Sequence, residues 1–183
     1  IGSEGTLGVI TAATMKLYPL PAASLTAWAA VPSMEAAVTL LGLAHKHLGA
    51  GLTGFEVMGQ FALSLVAKHM PQQRVPFLGE SPYGVLLENS DQESEEHARA
   101  QFEKLLEAAL EDGCATDAVV AENIAQARAL WHVRESIPLA QAQEGLNIKH
   151  DISIPVSRIP AFCAETDALL QREIAGVRLV NFG

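Results

Sequence analysis

Several things that would place this chain quickly are scarce or missing. It has two cysteines in 183 residues, Cys114 and Cys163, far apart and each in apolar surroundings. The pair reads as two free, buried thiols in a reducing compartment, hence a cytoplasmic location, with a single disulfide as the alternative. Cations are few: 12 Lys and Arg stand against 21 Asp and Glu, a net charge of −9. Nucleic-acid affinity comes largely from Lys and Arg neutralising phosphates, so a nucleic-acid partner is disfavoured, and an anionic membrane surface with it. No apolar run approaches the ~20 residues that span a bilayer. No secretory leader is expected either, since the residues show no leader pattern. The chain opens on Ile1-Gly2-Ser3 without a Met and stops on Val180-Asn181-Phe182-Gly183, so both ends read as cut from something longer.

Familiar catalytic patterns are also missing. There is no G-x-G-x-x-G and no Walker loop. The six histidines lack metal spacing. His45 and His47 are two apart on a helical stretch and so point to different faces, and the others are scattered, whereas a zinc site needs three or four convergent ligands. No metal site is expected within the chain. No Ser-His-Asp or Cys-His order stands out, and Cys163 on an amphipathic stretch reads as core.

What is present is a foldable chain: 49% of residues are hydrophobic and 18% charged, enough to bury a core. Residues 1–19 carry Gly2, Gly5 and Gly8, then an alternating stretch over Thr11–Tyr18 that reads as a loop feeding a strand. Pro19-Leu20-Pro21 marks a boundary, because proline lacks an N–H and restrains its predecessor. Beyond it strands and helices alternate. Strands are expected at Leu25–Val31, Leu52–Met58, Tyr83–Glu88, Ala118–Ala121, Asn147–Pro155 and Val177–Phe182. Helices are expected from Ser33 to about Leu48 with Gly49 as the stop, over Phe61–Lys68, after a Ser90/Glu93 capping box to Gly113, over Asn123–Gln143, and over Ser157–Arg172 with Ile159, Phe162, Leu169 and Leu170 inward. Pro71–Pro82 reads as a loop. The fold class this favours is α+β and ferredoxin-like, a mainly antiparallel sheet with helices packed on it.

Two places invite chemistry. In Gly2-Ser3-Glu4-Gly5-Thr6-Leu7-Gly8-Val9-Ile10-Thr11, glycines let backbone approach a ligand and expose N–H groups; a plain turn between strands is the alternative. Arg134 on the Ala-rich helix and Lys149 on the strand after it could return to one pocket. There a planar fork and a compact charge would clamp a 2-hydroxy or 2-keto acid. The alternative is two solvated charges, or Arg134 paired with a nearby acid. Pro138, four residues after Arg134, cannot donate to the Arg134 carbonyl, so the helix should kink or stop there.

The ten-residue run from Gly2 to Thr11, followed by the Pro-Leu-Pro boundary, closely resembles the end of the FAD-binding domain in vanillyl-alcohol-oxidase-type flavoproteins. The D-2-hydroxyacid dehydrogenase branch, with D-lactate, glycolate and D-2-hydroxyglutarate enzymes, is the most similar. A second match supports it: Trp131-His132-Val133-Arg134-Glu135-Ser136-Ile137, then Lys149-His150-Asp151-Ile152-Ser153-Ile154-Pro155-Val156, resembles the family's cap-domain signature. The resemblance implies that 1–19 is the tail of an FAD-binding domain and 20–183 a substrate-binding cap, cut short. Glu4, Gly5, Thr6, Leu7, Gly8, Val9 and Ile10 would line the flavin. Arg134 and Lys149 would bind the carboxylate and 2-hydroxyl of a D-2-hydroxy acid. Some relatives carry a hydroxyl residue where Pro138 stands. The diphosphate loop and the ligands for a divalent metal such as zinc would lie outside the chain, so the fragment alone would hold neither group well and would be inactive. Electrons would pass to an acceptor the residues do not specify, and a homo-oligomer is compatible with the family. Two other readings stay open: a flavin-dependent transferase or phenol oxidase on the same scaffold, and an α+β binding module without chemistry. Only Tyr18 and Tyr83 are available as phenolic groups, and neither falls in a family motif.

Overall fold

In a computed structural model, Gly2 and residues 5–183 are described. The Glu4 expectation therefore lies outside the described residues. The elements run β1 (Ala23–Val31), α1 (Met34–Leu48), β2 (Leu52–Gly59), α2 (Gln60–His69), β3 (Tyr83–Asp91), α3 (Glu95–Asp112), β4 (Asp117–Val120), α4 (Ile124–Glu144) and α5 (Ile159–Glu173). The four strands form one sheet in the order β2-β3-β1-β4, every neighbour antiparallel. This is the expected α+β, ferredoxin-like βαββαβ arrangement, with α2 inserted between β2 and β3.

β1 reads as a continuous apolar run because both of its faces are covered. Seven successive residues, Leu25–Val31, are buried. Alternate side chains go to opposite sides. Ala27, Ala29 and Val31 join Val85 and Leu87 under α1 and α3, while Trp28 joins Leu86 and Met58 under α2 and α4.

Local chemistry explains most helix ends. Ser33 accepts from the Ala36 N–H at 3.1 Å and starts α1; Gly49 closes it. Asn123 accepts from the Gln126 N–H at 3.0 Å and starts α4. Gly113, with φ 82°, closes α3 in the left-handed region that glycine tolerates. The start of α3 differs from expectation. β3 runs on to Asp91 and absorbs Ser90, so the cap is Ser94, whose hydroxyl accepts from His97 N at 3.0 Å. Asp91 Oδ1 takes the Glu93 and Ser94 amides at 2.7 and 3.1 Å.

α4 continues past Pro138 for another six residues, to Glu144, and does not stop there. A proline in a helix interior costs about 3 kcal/mol. Val133 and Ile137, both buried under the sheet, each return roughly 1.5–3 kcal/mol, which is enough to carry the helix through.

Three expected strands do not form. Residues 11–18 and 147–155 lie outside the sheet without regular secondary structure, and almost all of them are exposed. Their alternation is real, but a strand also needs a ladder partner for its backbone groups. Of Val177–Phe182, only the end pairs, through a single bridge between Met58 and Phe182. Val57 N donates to Gly183 O at 2.7 Å, Gly183 N to Val57 O at 2.9 Å, and Gly59 N to Asn181 O at 2.9 Å. That short segment occupies the outer edge of β2. α5 also departs from expectation. None of its residues is buried, and Phe162 and Leu169 are 38% and 46% exposed. The two sheet faces are already covered by α1–α4, so α5 packs outside them, on the flank of α1 and against Asn181.

Candidate functional site

On the α2/α4 side of the sheet, two carboxylates rise from strand positions that face the helices. Gly54, Glu56 and Met58 alternate on β2, so Glu56 shares a face with fully buried Met58. Glu88 on β3 stands opposite Gly54. A charge in such a place needs a partner, and α4 supplies one for each carboxylate, one turn apart. Trp131 Nε1 donates to Glu88 Oε2 at 3.0 Å, and Thr53 Oγ1 donates to Glu88 Oε1 at 2.9 Å. Arg134 Nε donates to Glu56 Oε2 at 2.6 Å. Gly54 makes room for this layer, since a β-carbon there would lie 3.0 Å from Trp131 Cζ2 and 3.0 Å from Glu88 Cβ.

The Arg134 guanidinium is constrained further. Its Cζ lies 5.0 Å from the centre of the Phe182 ring. Its side chain is 22% exposed and that of Glu56 25%. Among the described residues its terminal Nη groups have no hydrogen-bond partner, so a half-buried bidentate donor edge remains open. That edge can take a carboxylate.

The segment carrying Phe182 is tied down around the site. Arg178 pairs with Glu144 at the end of α4, and its guanidinium lies over the Phe61 ring. Lys68 Nζ donates to Glu144 Oε2 at 2.6 Å, and His69 Nε2 lies 2.6 Å from the same oxygen. The hydrogen bond from Lys68, with those from Arg178 and His69, lowers the Glu144 carboxyl from 4.5 to about 2. Asn181 Nδ2 donates to both Asp167 oxygens at 3.2 Å.

The sequence-expected residues fall in three places. Arg134 is on α4, as read, and is paired with an acid. Lys149 is exposed on the coil between α4 and α5, not on a strand, and among the described residues it has no ion pair and no contact with Arg134. Gly5, Thr6, Leu7, Gly8, Val9 and Ile10 lie in an exposed run outside the core. Gly5 has φ 77°, and Gly5 and Gly8 have open space where a side chain would be. Leu7 and Val9 are 89% and 88% exposed. Uncovered apolar side chains beside open glycine backbone suit a flat, partly apolar group such as a flavin ring.

Glu56 was missed in the sequence. Its signal was a charge on the buried-face register of β2, two residues before Met58. Both cysteines are free, Cys114 buried and Cys163 partly so. Burial pushes the Cys114 thiol up to about 11 and raises that of Cys163, so neither is a thiolate nucleophile near neutral pH. Among the described residues no group of three His, Cys, Asp or Glu could hold a metal ion, and no helix is long and apolar enough to cross a membrane.

Residues 20–183 match the family described as FAD linked oxidases, C-terminal domain. A D-2-hydroxyglutarate dehydrogenase of Xanthomonas citri pv. viticola is 36% identical over the whole chain, which covers 37% of that protein. A mitochondrial D-2-hydroxyglutarate dehydrogenase of Arabidopsis thaliana is 32% identical over 87% of the chain and 28% of its own length. A putative mitochondrial D-lactate dehydrogenase of Schizosaccharomyces pombe is 35% identical over 85% of the chain and 30% of its own length. The chain thus spans about a third of the length of these curated relatives.

Proposed function

The chain belongs to the FAD linked oxidase C-terminal domain family, and from there we propose that it is the substrate-binding cap of a flavin-dependent dehydrogenase. That enzyme oxidises a D-2-hydroxy acid, of the lactate, glycolate or 2-hydroxyglutarate class, to the 2-keto acid. The observation that carries this reading is the open Nη edge of Arg134, half-buried and fixed in orientation, in a chain of net charge −9 where such an edge is a rare anion anchor. The names of the relatives, which are 2-hydroxyglutarate and lactate dehydrogenases, support the substrate class.

In this reading Arg134 grips the substrate carboxylate end-on. Lys149, on its exposed segment, moves against the substrate and meets the carboxylate or 2-hydroxyl. Together they hold the α-carbon in one orientation, which spends binding energy on positioning. Glu4 to Ile10 hold the flavin, with 1–19 as the tail of its domain and 20–183 as the cap. When bound, FAD supplies the two-electron acceptor for the α-hydrogen. Any divalent metal would take its ligands from outside this chain, and the electron acceptor and a homo-oligomeric state belong to the whole protein. Two free thiols suit a reducing, cytoplasmic setting.

The test is flavin bleaching in the flavin-loaded full-length protein. Anaerobic D-lactate, glycolate or D-2-hydroxyglutarate should bleach it within a turnover. Bleaching by phenols alone would move the assignment to a phenol oxidase, and bleaching by none of these would remove the dehydrogenase reading.

A further inference from the structure

We infer that Glu56 is the positioning residue for Arg134, and that it selects which edge of the guanidinium a substrate can use. The inference rests on the reading of Arg134 as the carboxylate anchor and adds a residue to it.

An arginine side chain has many rotamers, and a mobile fork makes a poor clamp. Three contacts remove that freedom. α4 fixes the stem. Phe182 lies against the guanidinium, 5.0 Å from ring centre to Cζ. Glu56 fixes the rotation in the plane by accepting from Nε at 2.6 Å. Glu56 is itself well held: it pairs with Leu86 in the β2–β3 ladder, and its neighbour Val57 exchanges two backbone hydrogen bonds with Gly183. A strand paired on both sides is a stiffer support than a loop.

The choice of Nε matters. A carboxylate can meet a guanidinium side-on, through Nε and one Nη, or end-on, through both Nη groups. With Nε taken by Glu56, only the end-on edge is left. Glu56 also serves as a standing counter-charge, so the arginine does not need the substrate for neutralisation.

The experiment uses the flavin-loaded full-length protein with Glu56→Ala, Glu56→Gln, Glu56→Asp and Arg134→Ala, assayed per bound flavin with D-2-hydroxyglutarate and D-lactate. Glu56→Ala should lower kcat by about tenfold or more, the scale of a misplaced contact, without raising KM. Glu56→Gln, which keeps an acceptor oxygen, should restore kcat to within about threefold of the parent on the same argument. Glu56→Asp keeps the charge but falls one methylene short of Nε, and should stay impaired. A merely structural role would lower Tm and flavin content and leave the per-flavin constants alone. Normal kcat in Glu56→Ala, or in Glu56→Asp should the alanine variant not fold, overturns the inference, as does a raised KM with unchanged kcat. If Arg134→Ala is itself near normal, the anchor reading is what fails.

Discussion

The indole of Trp28 on β1 fills the space that a side chain at position 84 on β3 would need. A β-carbon at Gly84 would lie 2.6 Å from Trp28 Cζ2 and 2.7 Å from its Nε1. Trp28 is fully buried and is the largest side chain in the α2/α4 core. Gly84→Ala should therefore act as an overpacking substitution, costing about 1–3 kcal/mol. For a chain of this size that is a fall in Tm of roughly 2–12 °C, readable by calorimetry. An unchanged Tm would mean that the ring can move aside.

Removing either expected substrate cation should be costly in the full-length enzyme. Arg134→Ala and Lys149→Ala are each expected to lower kcat/KM by roughly two orders of magnitude, the scale of a charged anchor worth ~3 kcal/mol. Steady-state kinetics on D-2-hydroxyglutarate checks this, and near-normal turnover in both would remove the clamp.

Glu144 predicts a particular acid response. Its folded carboxyl sits at about 2, below the ordinary 4.5. The stabilisation is thus complete above about 4.5 and is lost as pH falls through the interval down to about 2. Glu144→Gln should lower Tm at neutral pH, and the gap to the parent should close on acidification across that window. A gap independent of pH would refute the linkage.

The α3 cap should respond on both sides of mild acidity. Asp91 is lowered by the Glu93 amide and the His97 ring, and His97 is raised chiefly by its hydrogen bond to Asp91, Nδ1 to Oδ2 at 2.7 Å. The Asp91 contribution is present above its ordinary 3.8 and fades as pH falls below it. The His97 contribution is present below its ordinary 6.5 and fades as pH rises through its elevated value. The protection factors of amides at the start of α3, taken relative to intrinsic exchange at each pH, should be largest near pH 5, between those limits, and His97→Ala should flatten the profile.

Pro138→Ala should restore an N–H to the Arg134 carbonyl and raise Tm, by at most the ~3 kcal/mol a helix-interior proline costs. Unfolding by denaturant would show it as a higher midpoint with unchanged slope.

Most of the scaffold could be read from residue patterns because those patterns report local physics. Ser33, Asn123, Gly49 and Gly113 act on their own backbone neighbours, and β1 is apolar throughout because it is covered on both faces. Reading failed where the decision was made at long range. Alternation over 147–155 says nothing about whether a sheet edge is available, so Lys149 was placed on a strand that does not exist. Phe162 and Leu169 are periodic, but four other helices had already covered the sheet. Ser90 and Ser94 both offer a capping hydroxyl, and only the length of β3 chooses between them. At the candidate site Arg134 was visible as an isolated cation on an Ala-rich helix. Its partner Glu56, 78 residues earlier in the chain, could be found only through strand register.

The strap formed by residues 178–183 has a consequence for solution behaviour. Its pairing with Val57 and Gly59 occupies backbone groups on the outer strand β2, which would otherwise be an open template for another chain. Arg178, Asn181 and Phe182, through Glu144, Asp167 and Arg134, therefore also guard against edge-to-edge aggregation. Damage to this fastening would appear first as turbidity and concentration-dependent self-association, before any loss of helix content.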